Sequence, residues 1–581
     1  MQVRVTRTRD GVEYVYTVQA YRDERGRPKQ RIVERHGKLA DLLAVDPDAL
    51  ARLKARAKAE SAEKAAGRGV IAYDTAVPWD DGAAARNVGW LLADAVLARL
   101  GVAGAAGPAG DVLRLLVCSR VVWPCSKLAA WERQGRLFAG PAVPDWHGVY
   151  AGLDRIAALA PVLQSTAAEG VRRTPEQLAT LDYDVTNYFF AVDRDDPDPG
   201  GAQAPRGQAS RQRGRSKESR PDPIVQMGLF ADTDGIPVGY RLFDGNVPDV
   251  STLAVALPEF RAAFGAGRIV VVADKAMNTA ANLGMLHQGG DGWIVSCSVR
   301  NGREELRDWV LDPDGWQVTS RAEDGTVASK VKSRLVAGRL PHEAGGIQGV
   351  PVAVPERQIV RWSAGAAARD AADRADMLAK AARLAADPAR YQASKRKGVK
   401  KYIAEDRVDP ATGEVRPEMP LLRLDVARAE AEARFDGYQA LRTSETGIPE
   451  AAVIDRYKQL WRIEETFKVS KTGLGARPVF VRTRAHIEAH FAVCFLALLV
   501  TRLLERWTGL PSPRILAALR AATATPVGPG VYHLQRTGDW PAIDRATGVP
   551  LDQTWATIEQ LRAWTRSLAK AASTTTFTTP E

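Results

Sequence analysis

Leu181-Asp182-Tyr183-Asp184-Val185-Thr186-Asn187-Tyr188-Phe189-Phe190 is rich in aromatic and β-branched residues and poor in strong helix formers. It reads as a strand, with Asp184 in its middle beside Thr186. Downstream, Ile224 to Phe230 and Pro237 to Phe243 are two further strand-like runs, joined through the hairpin signal Asp232-Thr233-Asp234-Gly235. Ser251 to Phe264 then has helical spacing. Ile269-Val270-Val271-Val272-Ala273 is a wholly apolar strand ending at Asp274, Ala280 to His287 reads helical, and Trp293 to Cys297 is another strand.

Strands separated by helices imply parallel crossovers, so three antiparallel strands are followed by a βαβα run. That order predicts an α/β fold with a ribonuclease H-like mixed-sheet catalytic core. Its first part spans residues 177–298 and its second part residues 445–510. Between them, residues 299–444 mix short alternating runs, turns at Asp314-Gly315 and Asp324-Gly325, and a charged helical stretch near Ala366 to Ala385. This reads as a strand-rich insertion domain.

Working outward, residues 1–70 form a small strand-rich unit with turns at Asp10-Gly11 and Arg25-Gly26, followed by an exposed helix or linker. Residues 71–176 carry helical apolar spacing and form a helical domain. Residues 511–581 are a less patterned tail whose Ser/Thr-rich end, Ser573 to Thr579, is expected to fray. At 581 residues the chain far exceeds the usual ~100–200 per domain, which rules out one small module. With 45% apolar and 26% charged residues it has the composition of a folded protein rather than a disordered one.

The net charge of +11 favours polyanionic partners, subject to clustering. Four scattered cysteines make no disulfide framework and no paired ligand set. Met1 to Asp10 lacks an apolar signal core. The greasiest run, Phe491 to Val500, is ten residues long, whereas a membrane span needs about 20. A cytoplasmic protein without a membrane partner is the expectation.

Asp184 and Asp274 stand on neighbouring parallel strands in this scheme, where an α/β sheet places its chemistry. A lone aspartate at such a position also reads as a turn or capping residue. The helix Ile454 to Lys471 adds a third acid: Tyr457, Glu464, Lys468 and Lys471 fall on one face at 100° per residue, and Leu460 continues it. A solvated Glu464–Lys468 pair explains part of that stripe. It does not explain its place after two strand-borne aspartates. Three carboxylates suit two divalent cations and phosphodiester chemistry, with the lysines holding phosphates.

On these residues the sequence resembles the bacterial insertion-sequence transposases of the DDE type, in the insertion-sequence-4-like superfamily. Their signature Tyr-x2-Arg-x3-Glu-x6-Lys is matched by Tyr457, Glu464 and Lys471, with Lys468 at a second lysine position. The arginine position holds Leu460, and Leu460-Trp461 is similar to the long-chain subgroup. Asp184-Val185-Thr186, Ala273-Asp274-Lys275-Ala276-Met277, Ser216-Lys217, Gly228-Leu229 and Gly245-Asn246 extend the likeness. The resemblance implies a Mg²⁺ enzyme with two ions, Mn²⁺ substituting. Asp184, Asp274 and Glu464 are its catalytic and metal-binding residues, and Tyr457, Lys468, Lys471, Arg477 and Lys217 its DNA-binding residues. It also implies double-stranded DNA partners, both transposon ends and target, a DNA-end-binding role for the helical domain of residues 71–176, and a homodimer in the DNA complex. A catalytically silent DNA-binding regulator and a host ribonuclease H-like nuclease are the alternative readings.

Other signals are weaker. His486 and His490 stand four apart without a third ligand, and helix packing or a phosphate contact explains them better than zinc. Arg211, Arg213, Arg215 and Lys217, and the cluster Lys395 to Lys401, either neutralise phosphates or solubilise the surface. Arg120, Ser126 and Lys127 are placed in end recognition. Trp293, Trp309, Trp316 and Trp362 read as packing residues or as platforms for a displaced base.

Overall fold

In the computed structural model, residues 1–22, 27–66, 85–173, 175–196, 209–341, 343–344, 347–348, 350–393, 397–406, 421–528 and 530–577 are described. The expected turn at Arg25-Gly26, the residues Lys395 and Arg396, and Thr578-Thr579 lie outside them. Two compact units divide the chain, Met1–Ala83 and Ala84–Glu581. In the first, the strands Gln2–Arg7, Glu13–Arg22 and Pro28–Lys38 make an antiparallel sheet, and the helix Ala49–Ala66 follows. Both were legible in the sequence.

The second unit is built on a nine-stranded sheet. Strand β1 is Thr180–Phe189, β2 Ile224–Ala231 and β3 Pro237–Asp244. Helix α1, Asp249–Phe264, leads to β4, Val270–Ala273; helix α2, Ala280–Gln288, leads to β5, Gly292–Cys297. The first three strands are antiparallel, while β4 lies parallel to β1 and β5 parallel to β4. The mixed α/β order expected from the sequence is therefore present.

The sheet does not stop at β5. Strands β6 (Gln317–Arg321), β7 (Val327–Leu340), β8 (Val352–Ser363) and β9 (Tyr438–Thr443) continue it in the order β6-β7-β8-β9-β5-β4-β1-β2-β3. Ile294 to Cys297 pair antiparallel with Ala440 to Thr443. Residues 299–444 thus close what would be an open edge at β5, whose unpaired N–H and C=O groups need partners. They also hold a small apolar cluster of their own around Ala381, Tyr391, Tyr402 and Ala429.

Side chains alternate along β1. Leu181, Tyr183 and Val185 pack with Phe230, Leu253, Phe260 and Leu283 on the α1/α2 face. Tyr188 belongs to the opposite face, with Val225, Met227 and Leu229. Asp184 shares that face by its spacing. It is covered by the helix Arg484–Thr508, whose most apolar window has a mean hydropathy of 1.9 and is 100% buried within the fold. That helix is long and apolar enough to cross a membrane by composition, and here it is a core helix. It packs on Gly110–Val122 and Trp146–Val171, two of the helices expected between residues 71 and 176.

The tail departs from expectation. Helix Ser512–Ala521 leads into a four-stranded sheet of Thr523–Gly528, Val531–Gln535, Trp555–Thr557 and the early strand Arg86–Asn87, closed by helix Ile558–Thr574. Ser573 and Thr574 are helical, and Phe577 is 1% exposed against Trp507. The Ser/Thr-rich end is ordered through Phe577 because that ring is buried, which a composition argument does not see.

Candidate active site

Strands β1 and β4 run in register from Thr180↔Val270 to Asp182↔Val272. Two more residues along that register set Asp184 level with Asp274. Each aspartate is oriented by its own backbone: the Val185 N–H donates to Asp184 Oδ1 at 2.7 Å and the Ala276 N–H to Asp274 Oδ1 at 2.8 Å.

The third acid arrives differently from the expected single helix Ile454 to Lys471. Helix α3, Glu450–Lys458, ends before Gln459; helix α4 is Trp461–Lys468, and Val469–Gly473 widens into a π turn. Across the junction the amides of Leu460, Arg462 and Ile463 donate to carbonyls three residues back, at 3.1, 2.9 and 3.2 Å. Such local tightening bends a helix. The two halves are tied to different parts of the sheet, the first to strand β1 and the second to the turn between β2 and β3. Arg456 donates to Asp182 Oδ1 at 2.6 Å, whereas Arg462 donates to the Thr233 carbonyl at 2.7 Å and Thr466 Oγ1 to the Gly235 carbonyl at 3.0 Å. The straight stripe of Tyr457, Glu464, Lys468 and Lys471 is corrected accordingly: Tyr457 precedes the bend.

Asp184, Asp274, Glu464, Lys217, Lys468, Lys471 and Arg477 all line one open cleft of about 390 Å³, together with Thr186, Leu460, Phe467 and Thr472. Tyr457 alone of the expected site residues does not. Its hydroxyl meets Ser296, and burial, with Asp274 and Glu464 nearby, pushes its pKa up.

Among the described residues no three His, Cys, Asp or Glu side chains stand close enough together to hold one metal ion. The acids share a cleft without closing into the bridged centre that the spacing suggested. Like charges facing one another in a partly buried space repel. Burial raises the Asp184 pKa to about 6; Lys217 and the Val185 amide oppose this, and Asp274 and Glu464 add to it. Three carboxylates, as oxygen donors, suit a hard divalent cation by chemistry.

The cations have partners that the sequence reading missed. Lys217 Nζ donates to the Val185 carbonyl and lies 3.9 Å from Asp184 Oδ1 and 3.5 Å from Asp249 Oδ2. Lys471 Nζ is 3.3 Å from Glu218 Oε1, and Arg477 pairs with the same carboxylate. Burial, then Lys217, push the Lys471 pKa down to about 8, and Asp184 opposes them. Glu218 had a signal: it is the sole acid among six basic residues between Gly201 and Arg220. Of that basic run, Arg211 pairs with Asp196 and Arg213 with Asp193 and Asp195, and residues 201–208 lie outside the described part.

His486 meets Asp154 at 3.1 Å, while buried His490 meets the Ala476 carbonyl at 3.0 Å and Lys127 Nζ at 2.6 Å, so the two rings serve different partners. Arg120 is buried and donates to the Leu474 and Gly475 carbonyls. Trp293 is buried, and Trp309, Trp316 and Trp362 stack with Lys330, Lys332 and Arg334.

Residues 201–500, just over half of the chain, match the family model described as the transposase DDE domain. No curated protein matches the chain. Among solved structures it is similar to a cryo-electron-microscopy structure of the piggyBac transposase synaptic complex with hairpin DNA. The identity there is 9%, over 79% of this chain and 74% of that one, with a TM-score of 0.31. The chain belongs to the transposase DDE domain family and is an enzyme of DNA cleavage and strand transfer.

Proposed function

We propose that the cleft is a two-metal phosphodiester centre on a ribonuclease H-like core, in a transposase of the bacterial insertion-sequence type that binds terminal inverted repeats. Asp184, Asp274 and Glu464 would hold the ions. Lys217, Lys468, Lys471 and Arg477 hold the DNA backbone, with Tyr457 as a further DNA-positioning residue outside the cleft. The observation that carries this reading is the meeting of three acids from three separate chain segments with four cations in one cleft.

DDE transposases use divalent metals, and Mg²⁺, with Mn²⁺ as substitute, is the ion assigned here. When bound, the pair supplies activation of a water or 3′-hydroxyl and charge neutralisation at the leaving oxygen. The protein's own part is placement. The Val185 and Ala276 amides fix the carboxylate rotamers of Asp184 and Asp274, and the tethers on Thr233 and Gly235 fix the helix that carries Glu464. Lys468 lies one turn beyond Glu464 and Lys471 at the π turn, so a phosphate they grip faces the acids. A homodimer joining two ends completes the reading.

The test uses the element's own ends, taken from the DNA flanking the gene. Asp184→Ala, Asp274→Ala and Glu464→Ala should each abolish strand cleavage in Mg²⁺ and leave end binding visible by gel shift. Cleavage retained in any of the three removes that residue from the centre. Products joined to a target support a transposase, whereas cut ends that never join point to a nuclease.

A further inference from the structure

Three of the four cations in the cleft already face an anion belonging to the chain, and two of them share one. Glu218 stands between Lys471, at 3.3 Å, and Arg477. Its neighbour Lys217 points the other way, to Asp184 and Asp249 and to the Val185 carbonyl. One dipeptide therefore sets a positive group against a catalytic acid and a negative group between two basic residues. The turn that presents it is held by Ser216, whose hydroxyl accepts from the Glu218 and Arg220 amides at 3.2 Å each, and by Arg220 stacked 4.1 Å over the Phe189 ring. Lys471 and Glu218 are 12% and 27% exposed, so this is not a freely solvated surface pair.

We infer that Glu218 is a positioning residue. It holds the Lys471 and Arg477 side chains together while the cleft is without DNA, and it yields its place to a backbone phosphate. The inference rests on reading the cleft as the DNA-cleaving site. Two cations side by side repel, and a carboxylate between them relieves that repulsion. A phosphate offers the same two donors an equivalent pair of oxygens, so exchange keeps their geometry. Glu218 thereby lowers the affinity for any duplex that does not bring a phosphate to that spot. Among the described residues Lys468 has no ion-pair partner and stays open to the first contact.

The experiment is fluorescence anisotropy of the full chain with a short labelled duplex of arbitrary sequence, in EDTA, across a salt series. No metal or turnover is involved. Glu218→Gln should bind about tenfold tighter at low salt, with the slope of log affinity against log salt steeper by as much as about 1.8, since two cations become available to phosphates. Lys471→Ala and Arg477→Ala should bind more weakly with shallower slopes. Where Glu218→Gln lowers the melting temperature, Glu218→Ser reads the same two quantities. Unchanged or weaker binding in the Glu218 variants, while Lys471→Ala and Arg477→Ala weaken it, overturns the inference and leaves the cleft reading intact. No effect from Lys471→Ala and Arg477→Ala overturns the cleft reading, and the inference falls with it.

Discussion

Lys127, half-buried at the wall of a pocket in the second unit, ends 2.6 Å from Nδ1 of the buried His490. His490 Nε2 faces the Ala476 carbonyl, so Nε2 carries the ring proton and Nδ1 is left to accept. Burial, then Arg120, pushes the Lys127 pKa down to about 7, far below its ordinary 10.5. The unfolded chain therefore holds a proton that the folded one lacks between about pH 7 and 10.5, and stability rises with pH across that window. Lys127→Met should remove about 1.4 kcal/mol per pH unit from that slope, read as urea midpoints of both proteins at successive pH values. Arg456 is a second case. It pairs with Asp182, which is 0% exposed, and Arg456→Met strands that acid in the core. A loss of about 3–5 kcal/mol in urea unfolding is expected. Neither pair was legible, because the partners of the second are 274 residues apart and no local pattern encodes them. Asp184, Asp274 and Glu464 were legible, since strand composition and helical spacing are local properties.

At the scale of elements, the bend between α3 and α4 was hidden for the same reason. Leu460, Ile463 and Phe467 keep an apolar 3.6-residue rhythm, so the sequence reads straight through the junction. Just past the junction α4 lies against the turn between β2 and β3, where Gly235 has φ +74° and an added Cβ would lie 2.7 Å from Arg462 Cβ. Gly235→Ala therefore meets both a left-handed backbone and the catalytic helix. It should cost about 1–3 kcal/mol in thermal unfolding and lower cleavage more than DNA binding, because Glu464 shifts with the helix. Thr466→Val, which leaves the Gly235 carbonyl without its buried donor, should cost about 1–2 kcal/mol by the same measurement. The core strands were legible because a buried sheet writes itself in apolar runs. Their continuation through β9 was not, since Tyr438 to Thr443 pairs with β5 only after some 140 intervening residues.

For the whole molecule, the last seventy residues close the second unit rather than trail from it. Thr523 and Ala524 pair with Asn87 and Arg86, Asn87 donates to the Leu519 carbonyl at 2.7 Å, and helix Ile558–Thr574 packs on Trp90–Arg99. Truncation after Gly509 strips these partners from Asn87 and from the buried apolar residues of Trp90–Arg99. The shortened chain should aggregate or be cut quickly in limited proteolysis, where the full chain gives stable fragments. The tail's strands are three to six residues long, too short for periodicity to mark them. The strand at Arg86 waits for a partner some 440 residues later, and a ribosome adding ~5–20 residues per second needs about 20–90 s to supply it.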